Sequence, residues 1–79
     1  MNTDFYKVLE DLQHRLGQLG RQDLAKRLEE AVSAGSTGTE ILMAVRWNLS
    51  QIMKEPDLPD NIRARIKELL VDLKRTLGN

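Results

Sequence analysis

The sequence contains no cysteine among its 79 residues. Without a thiol the chain can form no disulfide, no thiolate nucleophile and no cysteine-ligated zinc site. A secreted domain of this size usually depends on such cross-links, so we expect a cytoplasmic protein. A chain of this length holds one domain at most, and we expect a single helical domain over residues 1–79.

The sequence also lacks an excess of charge and a long hydrophobic run. Twelve lysine and arginine residues balance twelve aspartate and glutamate residues, so the formal net charge is zero. A neutral chain has no overall field to attract nucleic acid or an anionic membrane surface. The longest apolar run covers residues 41–45, whereas a membrane-spanning helix needs about twenty apolar residues. We therefore expect no membrane partner, and the charge balance argues against a nucleic-acid partner.

Hydrophobic residues recur at intervals of three and four along the whole chain, which is the spacing of amphipathic helices. This pattern predicts an all-α protein with four helices arranged as a small up-and-down bundle. A three-helix bundle with a short extra helix is the alternative. The first helix is predicted to begin near Thr3 or Asp4 and to end at Gly20. The second is predicted over residues 22–34, with Gly35 closing it in the left-handed conformation.

The second half of the chain has clearer boundary signals. Thr37 and Glu40 have the spacing of a capping box, in which each side chain satisfies the other residue's backbone N–H. A third helix is predicted over residues 38–54, and the prolines that follow it end it. Pro59 is expected in the first turn of a fourth helix that ends at Gly78. The residues expected to face the core are Phe5, Val8, Leu9, Leu12, Leu16, Leu19, Leu24, Leu28, Ala31, Val32, Ile41, Leu42, Val45, Leu49, Ile52, Met53, Ile62, Ile66, Leu69, Leu70, Leu73 and Leu77.

Two large apolar residues of the third helix do not follow this core pattern. At 100° per residue, Met43 and Trp47 fall outside the core arc but lie next to each other at positions i and i+4. In one interpretation the third helix is covered on two sides and Trp47 fills a gap in the core. In the other, Trp47 is an exposed anchor for a protein partner or a second copy of the chain. The second interpretation predicts a non-catalytic protein-interaction or homo-oligomerising module, with a candidate interface formed by Met43, Arg46, Trp47 and Lys54.

The sequence offers little material for catalysis or metal binding. His14 is the only histidine, and its position opposite Leu12 and Leu16 predicts a solvent-exposed side chain. It lacks both a neighbouring nucleophile and further metal ligands at helical spacing. The glycines around the second turn resemble a phosphate-binding loop only loosely, because the required lysine is missing. We therefore expect no enzymatic activity, no cofactor and no metal.

A helix-turn-helix nucleic-acid-binding protein is the alternative function. Ala31, Gly35 and Ile41 have the spacing of the small residue, turn glycine and buried residue in such units, which would use helices 22–34 and 38–54. The predicted recognition helix, however, presents only Arg46 as a basic side chain. Base and phosphate contacts usually need several Arg, Lys, Asn or Gln residues.

Overall fold

The computed structural model describes residues 4–78, and this part of the chain folds into four α-helices without a β-strand. The helices are α1 (Asp4–Gln18), α2 (Gln22–Ala34), α3 (Gly38–Ile52) and α4 (Asp60–Leu77). Each helix packs against the next, and α1 also packs against α4, whereas over residues 4–78 the Cα atoms of the two diagonal pairs stay more than 8 Å apart. The helices therefore occupy the corners of a square. The predicted four-helix bundle is confirmed, and the three-helix alternative is wrong.

One apolar core runs through the centre of this square. Burying a leucine or isoleucine side chain fully stabilises a fold by roughly 1.5–3 kcal/mol, so these contacts supply most of the driving force. No polar or charged side chain is buried within the described part of the chain. The buried residues are Phe5, Leu9, Leu12, Leu16, Leu24, Leu28, Ala31, Leu42, Val45, Leu49, Ile52, Leu58, Ile62, Ile66, Leu69 and Leu73.

The core differs from the predicted core at its edges. Leu19 is 46% exposed, because α1 ends at Gln18 and the helical spacing no longer positions the next residue. The prediction that Leu19 faces the core is therefore wrong. Leu58 is buried although it lies in the loop between α3 and α4, outside any helical pattern. A further group of predicted core residues is only partly buried and packs against the core: Val8, Val32, Ile41, Met53, Leu70 and Leu77.

The turn between α1 and α2 is closed by Gly20, which has a φ of 81°. Its N–H donates to the carbonyl of Gly17 at 3.0 Å, and the N–H of Arg21 donates to the carbonyl of Leu16 at 2.9 Å. These two bonds form a Schellman motif, which needs a residue in the left-handed conformation. Gly20 therefore caps α1 as predicted, two residues after the last helical residue, Gln18.

Gly35 ends α2 in a different way from the prediction. Its φ of −75° and ψ of 140° are extended, so the predicted left-handed conformation is wrong. A glycine is needed there for close packing: an added Cβ would lie 2.5 Å from Cγ1 of Ile41 and 2.9 Å from its backbone nitrogen. The absence of a side chain at Gly35 therefore allows the turn to pack directly against the first turn of α3.

The capping box at the start of α3 is half confirmed. The hydroxyl of Thr37 accepts a hydrogen bond from the backbone N–H of Glu40 at 3.1 Å, as predicted. The Glu40 carboxylate does not return to Thr37; it accepts from the N–H of Ser36 at 3.2 Å and from the Ser36 hydroxyl at 2.7 Å. The reciprocal bond to Thr37 is therefore wrong, and Glu40 instead secures the residue that precedes the cap.

The end of α3 and the start of α4 are each displaced slightly from the prediction. α3 ends at Ile52, and Lys54 lies in the following turn, where its N–H donates to the carbonyl of Gln51 at 3.1 Å. The guanidinium of Arg63 donates to the carbonyls of Met53, at 2.8 Å, and of Glu55. These bonds satisfy two backbone carbonyls that follow the end of α3 and have no partner within the helix. Pro59 is the N-cap of α4 rather than a residue of its first turn.

Candidate functional site

Trp47 lies on the side of α3 that faces away from the bundle. The four buried residues of α3 (Leu42, Val45, Leu49 and Ile52) define the direction of the core. At 100° per residue, Trp47 lies about 180° from the centre of that arc. Its side chain is accordingly 63% exposed. Within the single chain, Trp47 therefore fills no gap in the core.

A stripe of exposed side chains surrounds Trp47 along the outer surface of α3. Met43 lies one turn before Trp47 and is 59% exposed. Glu40, Ser50 and Lys54 continue the stripe at spacings of three and four residues, and all three are exposed. We call these five residues the Trp47 face. Three of the four residues predicted for the interface, Met43, Trp47 and Lys54, therefore share one surface.

Arg46, the fourth predicted interface residue, lies to one side of this stripe. It is partly buried and is about 100° away from Trp47 around the helix axis. Its backbone carbonyl accepts a hydrogen bond from the hydroxyl of Ser50 at 2.9 Å. Arg46 is thus placed at the margin of the Trp47 face rather than on it.

The charges of the Trp47 face lie at its two ends. Glu40 and Lys54 are each seven residues from Trp47. Glu40 is about 10.5 Å from Trp47 along the axis of α3, and Lys54 lies in the turn that follows Ile52. The hydrogen bonds from the Ser36 hydroxyl and backbone N–H lower the pKa of Glu40 below its ordinary value. Glu40 is therefore fully ionised at neutral pH. An apolar centre with charged ends has the chemistry of a protein interface, whose core is apolar and whose rim is polar.

The other exposed hydrophobic residues are on different elements. Val71 lies on the outer side of α4, Leu19 lies in the first turn, and Tyr6 lies on α1. The ring of Tyr6 packs edge-on against that of Phe5, with ring centroids 5.3 Å apart. Scattered single hydrophobic residues are common on protein surfaces, whereas a neighbouring Trp and Met are not.

His14 is exposed, as predicted, and lies beside an open groove between α1 and α2. The groove has a volume of about 750 Å³ and is lined largely by polar side chains, including Glu10, Asp11 and Gln22. No group of three histidine, aspartate or glutamate residues in the described part of the chain is arranged to hold a metal ion. Among the described residues, the lining of the groove contains no serine or threonine hydroxyl and no thiol that His14 could activate.

An ion-pair cluster that no local sequence pattern predicts surrounds Arg21. The Arg21 guanidinium donates to Glu55 at 2.5 Å and to Asp57 at 3.2 Å, and it contacts Asp23 at 3.1 Å. Hydrogen bonding to Asp23 and Glu55 raises the pKa of Arg21, and the same contact with Arg21 lowers the pKa of Asp23. The cluster joins the α1–α2 turn to the α3–α4 loop and so helps to fix the end of α3 next to Lys54.

The helix-turn-helix spacing has a packing explanation in this structure. Ala31 is buried, and Gly35 approaches Ile41 closely enough to exclude a side chain. The exposed stripe of α3 then presents Met43 and Trp47 at its centre rather than the row of amide and basic side chains that reads bases. The spacing of Ala31, Gly35 and Ile41 therefore corresponds to a packing contact between α2 and α3.

Comparisons with protein-family models, curated proteins and solved structures find no match to the chain. The geometry of the Trp47 face is therefore the basis for assigning a function.

Proposed function

We propose that this chain is a non-catalytic protein-interaction module that binds its partner through the Trp47 face of α3. The observation that supports this proposal is the exposure of the chain's only tryptophan directly opposite the core side of its own helix. At 63% exposure, most of the ring remains in contact with water in the single chain. Burial against another protein would remove both Trp47 and Met43 from water.

The composition of the face fits this role. Tryptophan, methionine and arginine are enriched at interfaces, and tryptophan is among the residues whose truncation costs 2 kcal/mol or more of binding energy at hot spots. Trp47 and Met43 would form the anhydrous centre, with Arg46 and Lys54 at the rim. The rim charges would set the orientation of the partner more than its affinity.

The proposed setting is the cytoplasm, where a chain without cysteine needs no oxidising compartment. None of the helices in the described part of the chain is long and apolar enough to cross a membrane. The proposed partner is accordingly a protein, either another chain or a second copy of this one.

A capture experiment with matched variants tests the proposal. The wild-type chain, Trp47→Glu and Val71→Glu are immobilised, and each is exposed to a lysate of the source organism and to labelled wild-type chain. Val71→Glu is the control, because it places the same charge at an exposed apolar position on α4. We expect the wild-type and Val71→Glu baits to retain the same protein, and we expect the Trp47→Glu bait not to retain it. Equal retention of every protein by all three baits would contradict the proposal.

A mobility-shift assay with DNA and RNA distinguishes the alternative function. A nucleic-acid-binding protein would shift the probe, and its affinity would fall steeply as the salt concentration rises. A salt-sensitive shift that Trp47→Glu leaves unchanged would favour the helix-turn-helix function over protein binding.

A further inference from the structure

We infer that the partner of the Trp47 face is a second copy of this chain, packed antiparallel about a two-fold axis that passes through Trp47. This inference rests on the proposed function and identifies the partner of the same site. It is carried by the placement of two opposite charges relative to Trp47.

The Trp47 face is symmetric in position and complementary in charge. Glu40 lies seven residues, or two helical turns, before Trp47 on α3. Lys54 lies seven residues after Trp47, in the turn that follows Ile52, where its N–H donates to the carbonyl of Gln51. A two-fold axis through Trp47 reverses the direction of α3 in the second copy. Each Glu40 then lies opposite the Lys54 of the other copy, and two ion pairs form at once. A two-fold interface is self-complementary in this way by construction.

Both charges are available for such a contact. Lys54 is exposed and forms no ion pair with any residue between positions 4 and 78. Glu40 is exposed as well, and its hydrogen bonds to Ser36 keep it ionised. A parallel arrangement would instead place Glu40 next to Glu40 and Lys54 next to Lys54. Like charges across an interface oppose association, so the antiparallel arrangement is favoured.

The centre of the face also suits a second copy. With Trp47 at the axis, the Met43 of each copy lies one turn from the opposing Trp47. A methionine sulfur beside an aromatic ring is a favourable contact, and flexible methionine side chains fill irregular gaps. We expect an interface built on one helix face to bury less than the roughly 1,200–2,000 Å² of stable complexes, so the expected dimer is weak and reversible. It forms as the concentration of the chain rises.

Multi-angle light scattering over a concentration series from micromolar to millimolar, at low and at high salt, measures this association. We expect the mass of the wild-type chain to rise from 9.0 kDa toward twice that value, and added salt to weaken the rise. Lys54→Glu places Glu40 opposite a second carboxylate and should weaken association at least tenfold. Added salt should then strengthen its association, because it screens a repulsion. Lys26→Glu makes the same charge change on α2 and should behave as the wild type does.

A charge-swap mixture tests the orientation directly. Lys54→Glu and Glu40→Lys each place like charges together in their own dimers, but a mixed dimer of the two variants has two opposite-charge pairs. We expect the mixture to associate more tightly than either variant alone. Glu40→Lys removes the bond to Ser36, so circular dichroism must show that it folds. If Glu40→Lys does not fold, the orientation is tested by the opposite effects of salt on the association of the wild type and of Lys54→Glu.

Each of three results would overturn the inference. The first is a wild-type mass that stays at 9.0 kDa up to millimolar concentration. This result would leave the proposed function standing, because the capture experiment can detect a partner other than a second copy. The second is a dimer whose stability is the same in Lys54→Glu as in the wild type. A dimer that Trp47→Glu leaves intact would count against both the inference and the location of the proposed binding site.

Discussion

Trp47 and Leu49 are two residues apart on α3, and their side chains point to opposite sides of the helix. Leu49 is 0% exposed at the centre of the bundle, whereas Trp47 is 63% exposed. Two residues turn the helix by about 200°, which accounts for the contrast. The fold therefore depends on Leu49, while Trp47 is available for a contact outside the chain.

Substitutions at these two positions should have opposite consequences for stability. Leu49→Ala leaves a cavity in the core and should cost about 2–5 kcal/mol, out of the roughly 4–12 kcal/mol expected for a domain of this size. Trp47→Glu should change the free energy of unfolding by about 0.5 kcal/mol or less, as surface substitutions usually do. Urea denaturation followed by circular dichroism measures both. Unfolding of Trp47→Glu would show that the ring belongs to the core.

The close approach at the α2–α3 turn predicts a difference between two glycines. Gly35→Ala places a Cβ against Ile41, including its backbone nitrogen, and overpacking of this kind costs about 1–3 kcal/mol. Gly38→Ala meets nothing within 4 Å, and Gly38 does not have a positive φ, so alanine should stabilise the chain by about 0.4–1 kcal/mol because it restricts the unfolded state. The thermal midpoint should therefore fall below that of the wild type in Gly35→Ala and rise above it in Gly38→Ala. Equal midpoints would contradict the packing of Gly35 against Ile41.

The N-cap of α3 predicts a measurable loss at Thr37. Thr37→Ala removes the hydroxyl that accepts from the N–H of Glu40 and should cost about 0.5–2 kcal/mol. Thr39→Ala is the matched control, because Thr39 is exposed inside the first turn and has no capping role. Its stability should stay within about 0.5 kcal/mol of the wild type. If Thr39→Ala lowers the free energy of unfolding as much as Thr37→Ala does, the loss of the cap does not explain the effect.

Stability should fall on the acidic side because two carboxylates have lowered pKa values in the folded chain. Hydrogen bonds from Ser36 lower the pKa of Glu40 below its ordinary 4.5, and the bond from Arg21 lowers that of Asp23 below 3.8. A carboxylate of this kind stabilises the fold above its unfolded pKa, and its contribution is lost as the pH falls through the folded pKa. Thermal midpoints of wild type and Glu40→Gln between neutral pH and pH 3 should therefore converge as the pH falls. A constant difference between them would contradict the role of ionised Glu40.

The helices were predictable because apolar spacing and local caps are encoded within a few residues. The bounds of α2 and the hydroxyl cap at Thr37 follow from neighbouring side chains. The Arg21 cluster was not predictable, since Glu55 is 34 residues away and is brought close only by the packing of the bundle. The extended conformation of Gly35 likewise depends on how the turn packs against Ile41.

The candidate site was predictable in part for the same reason. A helical wheel separates Met43 and Trp47 from the core arc of α3. Whether a neighbouring helix covers them depends on the arrangement of all four helices, and the square arrangement leaves the outer side of α3 open. Arg46 lies partly buried at the margin of the Trp47 face, and a sequence does not show how far a long side chain is buried at a helix margin.

The fluorescence of Trp47 tests the central claim most directly, since no other tryptophan contributes to the signal. Emission and acrylamide quenching are recorded from micromolar to millimolar chain concentration. The structure predicts the red-shifted emission and strong quenching of an exposed indole at the lowest concentration. It further predicts a blue shift and protection from quenching as the Trp47 face becomes covered. Blue-shifted, protected emission at the lowest concentration would place Trp47 in the core of the single chain and contradict the account.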